Sequence, residues 1–397
     1  MLTHQFKLVT FLLFCLCVSG AVAAQEQAEE ATETTEASSE KKSFLSQFKD
    51  PEDGMFDMSA WLLENIVGFL PVPIIITEPA VDNGLGAAGV FFHKPKDDQM
   101  KPGPDGKLIL PNVSAVAAAI TGNDSWFVGG GHFRNWGKDH YRYNIFAGYA
   151  DINLDWYGGD DFPSEDRGIR FNTKGTMVDQ EILFRVGESD WFLGANWMFL
   201  HSDVQFKTNL PIELPTVESS ISGVAAIGLY ENLDFQISPR KGFNLRLETQ
   251  FNREAFGSDY HYDKYAWQMR QYFEFAEKYT LAWRLDGATT SGDAPFYLEP
   301  FVEMQGIPAM RYQGSAAATL EVRGGYDVHP RWTVMGFIGG GRAGESISKL
   351  ADEKTQKAYG AGFRYLIARK MGMRVGLDVA KGPEGTYGYL VMGNAWQ

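Results

Sequence analysis

The sequence predicts an all-β fold, a transmembrane antiparallel β-barrel of 16 strands. Segments of about ten residues alternate between polar and apolar side chains, as strands do when one face meets lipid and the other a wet lumen. Aromatic residues make up 14% of the chain and gather near the ends of these segments, where their polar edges suit the membrane interface. Short and long connections separate the segments, as in outer-membrane barrels.

Residues 1–24 have the pattern of a cleaved secretory signal peptide, with a charged start, an apolar core and a small-residue cleavage site. The apolar run is shorter than the roughly 20 residues that a membrane-spanning helix needs. Both cysteines, Cys15 and Cys17, lie in this segment, so the exported protein is expected to contain no disulfide. A closed, hydrogen-bonded sheet in the bacterial outer membrane would hold such a chain together.

Residues 25–50 are predicted to be a disordered acidic linker, because they are rich in Glu, Thr, Ala and Ser and lack hydrophobic periodicity. Much of the formal net charge of -14 lies here and in the predicted loops, so it does not indicate a nucleic-acid partner. Residues 51–83 are predicted to form a short periplasmic helix, within MFDMSAWLLENIV, and a lead-in segment. The barrel is predicted to occupy residues 84–397.

The alternation is plainest at residues 244–252, where Leu245, Leu247 and Phe251 fall on one face and charged or amide side chains on the other. A soluble sandwich would bury that polar face, whereas a barrel keeps it wet. Strands are predicted to begin near Gly84, Val113, Ser125, His140, Leu154, Thr176, Asp190, Ser219, Gly242, Tyr260, Tyr279, Ala316, Trp332, Lys357, Met373 and Thr386.

The connections between these strands are predicted to sort by length onto two sides of the membrane, short turns on the periplasmic side and longer loops outside. The predicted short turns are 123, 151–153, 187–189, 276–278, 329–331 and 369–370. The predicted long loops are 96–112, 158–174, 207–218, 289–315 and 344–356. Residues 231–241 are long for the periplasmic side.

Residues 295–314, PFYLEPFVEMQGIPAMRYQG, are punctuated by Gly and Pro and cannot form a regular strand, so a long loop is predicted there. Within it, GIPAMRYQG resembles the Arg-Gly-aromatic loop motif of the BamA/TamA superfamily of bacterial surface antigens, although no glycine directly follows Arg311. LPVPIIITEPAV, DFQISPRKG and the terminal GYLVMGNAW are also similar to stretches of that superfamily, although Gln397 follows the last aromatic residue.

The resemblance implies that the loop between strands 11 and 12 folds into the lumen and is locked there through Arg311, Tyr312 and Gly314. A lumenal guanidinium needs a partner, because burial removes its hydration. Asp378 is the predicted partner, and Glu321 and Asp286, also lumenal by alternation, are the alternatives.

The resemblance also implies that Gly393 and Trp396 belong to a C-terminal signal read by the barrel assembly machinery during biogenesis. Outer-membrane lipids and lipopolysaccharide are the other expected partners. Protein or lipid insertion or translocation is the expected activity. The residues expected to remain before Met55 after export are too few for a periplasmic POTRA module of the kind that superfamily relatives carry.

A diffusion porin is the alternative function, and a lipid-modifying outer-membrane enzyme is a more remote one. His132, His201 and His261 lack the motif of barrel phospholipases. His201, Ser202 and Asp203 would alternate faces on a strand and could not form a triad together. No catalytic residue, cofactor or metal site is therefore expected.

Overall fold

The computed structural model describes residues 48–64, 68–96, 99, 109, 111–158, 168–207, 215–235, 238–393 and 396. The predicted signal peptide and most of the predicted linker lie outside these ranges. The 16 strands form one antiparallel sheet, in which each strand is paired with the next strand in chain order. The predicted all-β barrel class and the number of strands are confirmed.

The elements are α1 (Ser59–Glu64), β1 (Gly68–Ile76), β2 (Gly84–Phe92), β3 (Val113–Thr121), β4 (Trp126–Trp136), β5 (Tyr141–Trp156), β6 (Ile169–Arg185), β7 (Trp191–Phe206), β8 (Val217–Leu233), β9 (Gly242–Asn252), β10 (Tyr262–Phe275), β11 (Tyr279–Gly292), β12 (Ala316–His329), β13 (Trp332–Gly344), β14 (Gln356–Ala368), β15 (Met373–Lys381) and β16 (Thr386–Met392). Single 3₁₀ turns occur at Glu254–Phe256, Phe296–Leu298, Ile347–Lys349 and Arg369–Met371. Within the described ranges, no helix is both long and apolar enough to cross a membrane.

The wall of the barrel has an apolar outer face and a polar inner face. On β12, Leu320 and Val322 are 51% and 39% exposed, whereas Glu321 and Arg323 between them are 1% and 2% exposed. The same alternation on β15 exposes Leu377 and buries Asp378. The apolar face suits lipid, and the ionic groups are gathered inside.

The predicted number of 16 strands is right although two strand assignments are wrong, because one predicted strand does not exist and one observed strand was not predicted. β5 runs without interruption through the predicted turn at 151–153, because its ladder with β6 continues from Asp151 to Trp156. The strand predicted near Leu154 is therefore the end of β5. The missed strand is β1, which lay in the predicted lead-in and whose prolines disguised it.

The additional first strand moves two connections to the opposite side of the barrel. The connection 93–112 follows β2 and lies on the side of α1, which we call the helix side, together with the short turns 186–190, 276–278, 330–331 and 369–372. The short turn 122–125 follows β3 and lies on the other side, the long-loop side, with 157–168, 207–216, 293–315 and 345–355. The prediction grouped 96–112 with the other long loops and 123 with the other short turns, so both of these assignments are wrong.

Candidate functional site

The connection between β11 and β12, residues 293–315, folds back on itself as an irregular hairpin. Phe301 and Gln313 form an isolated bridge, and the Val302 N–H donates to the Tyr312 carbonyl at 2.8 Å. The Gly314 N–H donates to the Pro300 carbonyl at 3.0 Å. A Cβ on Gly314 would lie 2.6 Å from the Gly344 carbonyl oxygen, so glycine allows the loop base to approach the end of β13.

The tip of this loop contacts inward-facing groups on several strands. Arg284 of β11 donates to the Glu303 carbonyl at 2.7 Å, and Arg323 of β12 donates to the Gln305 side chain at 2.9 Å. The Gly306 N–H donates to the Tyr389 hydroxyl of β16 at 2.9 Å. Apolar anchors beside these bonds are buried, namely Val302, Met304 and Ile307 against Ala358 of β14. The loop therefore occupies the lumen.

Arg311 forms an ion pair with Glu384, in the connection between β15 and β16, with Nε and Oε1 3.2 Å apart. Its guanidinium lies 4.2 Å from the ring centre of Tyr157 and 5.0 Å from that of Tyr312. The Tyr312 hydroxyl donates to the same Glu384 carboxylate. Arg311 and Tyr312 thus fasten the loop near the long-loop side.

The predicted pair between Arg311 and Asp378 is wrong. Asp378 accepts hydrogen bonds from Arg323 at 2.9 Å and from Arg364 at 2.6 and 2.8 Å. Two inward-facing arginines on the neighbouring wall therefore satisfy this carboxylate already.

The two alternative partners are also engaged by wall arginines. Glu321 lies 3.4 Å from Arg284 and 3.1 Å from Arg323, and Asp286 lies 3.0 Å from Arg284. The three predicted carboxylates belong to one inward-facing network, which we call the lumenal network, with Arg284, Arg323 and Arg364. These arginines were missed in the sequence, although their inward faces follow from strand alternation.

The predicted C-terminal residues join the lumenal network. Gly393 has φ +65°, its N–H donates to the Arg374 carbonyl at 2.6 Å, and its carbonyl accepts from Arg364 at 3.2 Å. Trp396 is 2% exposed, and its indole N–H donates to Glu321 at 2.7 Å. The side chain of Trp396 therefore lies in the lumen.

The sheet has a seam where the edges of β1 and β16 face each other. Among the described strand pairs, β1 is paired with β2 and β16 with β15, and none joins β1 to β16. Pro71 and Pro73 lie in β1, and proline is tolerated in a strand where its nitrogen faces an open edge. Side chains bridge the seam instead, since Leu70 and Val72 share a buried cluster with Met392.

An N-terminal clamp lies on the helix side beside this seam. The guanidinium of Arg331, in the turn between β12 and β13, is bound by Asp50, Asp53 and Asp57, with 2.6 Å to Asp53. Phe48, in the same segment as these carboxylates, packs in the hydrophobic cluster that bridges the seam. Residues 48–50, predicted to end the linker, thus contact the barrel.

The N-terminal clamp is expected to weaken as the pH falls. Burial would raise the pKa of Asp57, but hydrogen bonds from Arg331, Ser59 and the Arg369 amide outweigh burial and hold the pKa below its ordinary value. Stability from this group is fully present above the unfolded carboxyl pKa of about 3.9 and is lost as the pH falls through the lowered folded value. We expect pepsin to release the N-terminal segment only below about pH 4.

Replacing Arg331 by methionine is expected to release the segment at neutral pH, because three carboxylates lose their shared partner. A hydrogen bond to a charged group contributes about 1.5–3 kcal/mol, so trypsin cleavage after Lys49 should accelerate about tenfold or more. Fragment masses after timed digestion measure this rate. Arg342→Met, on β13 at the long-loop side, is the matched control, and equal rates in the two variants would contradict the clamp.

The ion pair between Arg311 and Glu384 can be tested by exchanging the two charges. Arg311→Glu places two carboxylates together, so the loop should detach and single-channel conductance in planar bilayers should rise. Glu384→Arg in the same chain should restore the low conductance. Asp378→Arg should not, and a rescue by that change alone would contradict the assignment of Glu384.

His201, Ser202 and Asp203 do not form a catalytic triad. Ser202 faces inward, 3.3 Å from the Tyr297 hydroxyl, whereas His201 and Asp203 lie on the outward face with greater exposure. Glu218 of β8 joins these two, and the three possible ligand atoms lie within 4.8 Å of one another. No metal site is predicted from the sequence at this position. It is exposed at the barrel rim, and we assign no ion to it.

These features define a class of protein, a 16-stranded transmembrane barrel with a loop in its lumen and a seam without a backbone ladder. No family model and no curated protein sequence matches the chain. The structure is similar to BamA from Haemophilus ducreyi lacking POTRA domains 1–3, with TM-score 0.56 and 12% identity over 81% of this chain and 69% of that chain. It is also similar to CdiB from Escherichia coli, with TM-score 0.52 and 9% identity over 81% of this chain and 61% of that chain. The fold is that of the BamA-like barrels.

Proposed function

We propose that this protein is an integral protein of the bacterial outer membrane that inserts or translocates a protein or lipid substrate. The observation that carries the proposal is the seam. Backbone hydrogen bonds each contribute about 0.5–1.5 kcal/mol, and the described edges of β1 and β16 form none with each other. Parting these strands therefore costs less than parting any other pair.

A parted seam offers two things to a substrate. Unpaired N–H and C=O groups at a strand edge are a template for an incoming strand, as in β-augmentation. The opening would also connect the lumen sideways with the lipid. Insertion of a polypeptide and movement of a lipid both require such a path.

A diffusion porin is less well supported, because the loop at residues 293–315 contacts β11, β12 and β16 across the lumen. An enzyme lacks support from the arrangement of His201, Ser202 and Asp203. We therefore retain the porin as the alternative that the experiments must separate.

Lipids and lipopolysaccharide are the proposed partners of the apolar outer face, and the barrel assembly machinery is the proposed partner of the C-terminal residues during biogenesis. Because Trp396 is buried in the folded barrel, such a signal would be read before the lumen is filled.

The proposal is tested by deleting the gene and comparing the protein and lipid content of the outer membrane with the parent strain. Depletion of a protein or lipid class, restored by the wild-type gene, is expected. Bilayer recordings of the purified protein provide the second readout. Small, unstable openings are expected, whereas large, steady channels with unchanged membrane composition would favour the porin.

A further inference from the structure

The helix-side end of the lumen contains a small cavity that is partly open to solvent. It adjoins the contacts that hold the loop tip, because Arg323 lines the cavity and also donates to Gln305. Its lining includes Ser238 and Arg240 from the connection 234–241, Tyr272 of β10, Arg364 of β14 and Arg374 of β15. Trp396 closes one side.

The arginines of this cavity differ in their partners. Arg240 lies 2.7 Å from Glu274 and 2.8 Å from Asp327, and Arg364 is bound to Asp378. Arg323, which also lines the cavity, shares that carboxylate. Arg374 differs, because its side chain forms no hydrogen bond or ion pair with any residue that the structure describes.

Arg374 is inward-facing and half-buried, so its guanidinium has lost part of its hydration, and the nearby carboxylates of Glu274 and Asp327 are bound to Arg240 rather than to it. A cation in that position is costly unless an anion accompanies it. We propose that this cavity binds a phosphate-type oxyanion, held by Arg374 and flanked by Arg240 and Arg364.

Phosphate chemistry suits the residues that line the cavity. Guanidinium groups donate several hydrogen bonds in a fixed fork to phosphate oxygens. The donors here approach from different elements, and the tetrahedral oxygens of a phosphate accept from several directions at once. Ser238 and Tyr272 also line this space, and a hydroxyl is a further hydrogen-bond donor. The phosphate belongs either to a free ion or to the head group of an anionic lipid.

The test measures the melting temperature of the folded protein in nanodiscs. In phosphatidylcholine discs, inorganic phosphate is titrated against chloride at constant ionic strength, because a ligand that binds the folded state raises the melting temperature. A second arm compares phosphatidylglycerol with phosphatidylcholine discs without added phosphate. A rise in the first arm identifies free phosphate, and a rise in the second arm alone identifies a lipid head group.

Arg374→Gln should abolish the rise in whichever arm shows it, and Arg374→Lys should retain a smaller one because lysine keeps the charge but not the fork. Without ligand, Arg374→Gln should melt no lower than wild type, since it removes an unpaired cation. Arg342→Gln, outside the cavity, should retain the full wild-type rise over its own baseline melting temperature. Absence of a rise in both arms, or an equal rise in wild type and Arg374→Gln, would overturn the proposal.

Discussion

Asp378→Asn is expected to destabilise the folded barrel by about 3–5 kcal/mol, the usual cost of removing one partner from a buried ionic group. Asp378 is 1% exposed and is the carboxylate that Arg323 and Arg364 share. Without its charge, two arginines that are themselves 2% and 1% exposed lose their principal counterion. The stabilisation that the lumenal network provides through both arginines should therefore be lost together.

Urea unfolding of the refolded protein in lipid vesicles, followed by tryptophan fluorescence, measures this loss. Asp155→Asn is the matched control, because Asp155 pairs with Arg170 at an exposed position 3.2 Å away. Exposed pairs contribute about 0–1 kcal/mol. Equal unfolding midpoints in the two variants would show that the network is not a major source of stability.

Replacing both Pro71 and Pro73 by valine is expected to close the seam and abolish activity. The two valines restore backbone N–H donors at the β1 edge, so β16 can pair with it. Each added hydrogen bond contributes about 0.5–1.5 kcal/mol, and the melting temperature should rise by several degrees. The variant should nevertheless fail to restore the outer-membrane composition of a deletion strain.

Pro79→Val provides the control, because Pro79 lies in the connection between β1 and β2 rather than in a strand. It should complement the deletion fully. A raised melting temperature would show that the seam of the Pro71 and Pro73 variant has closed. If that variant still complemented the deletion fully, opening of the seam would not be needed for function, and the proposed role would be refuted.

Much of the wall could be predicted from sequence, because alternation fixes the face on which a strand residue lies. Alternation places Glu321 and Asp378 on the inner face, and both are buried there. Local composition was less informative at strand ends. Residues 151–153 look like a turn, yet β5 continues through them because β6 supplies a continuous ladder.

The partner of Arg311 could not be predicted in the same way. Alternation gives the face of a residue but not its height in the lumen, which depends on the stagger of the strands and the path of the loop. Asp378 has the right face but lies within reach of Arg323 and Arg364. Glu384 lies in a turn, where alternation says nothing, although that turn shares the long-loop side with the base of the loop.

The first strand was hidden by its own chemistry. Pro71 and Pro73 argue against a central strand, and that inference is physically sound. They are compatible with an edge strand, and the sequence alone does not show which strand lies at an edge. The property that concealed β1 is the same property that leaves the seam without a ladder.

Locking the seam tests the central claim most directly. The exported chain is expected to contain no cysteine, so a pair introduced as Val72→Cys and Leu390→Cys, two residues of the cluster that bridges the seam, can be cross-linked selectively. A pair at Leu245 and Met269, which are already neighbours in the β9 and β10 ladder, is the control. Outer-membrane protein and lipid content is then compared with and without cross-linking. We expect the locked seam to reproduce the deletion defect and reduction to reverse it, while normal membrane composition with a fully cross-linked seam would contradict the account.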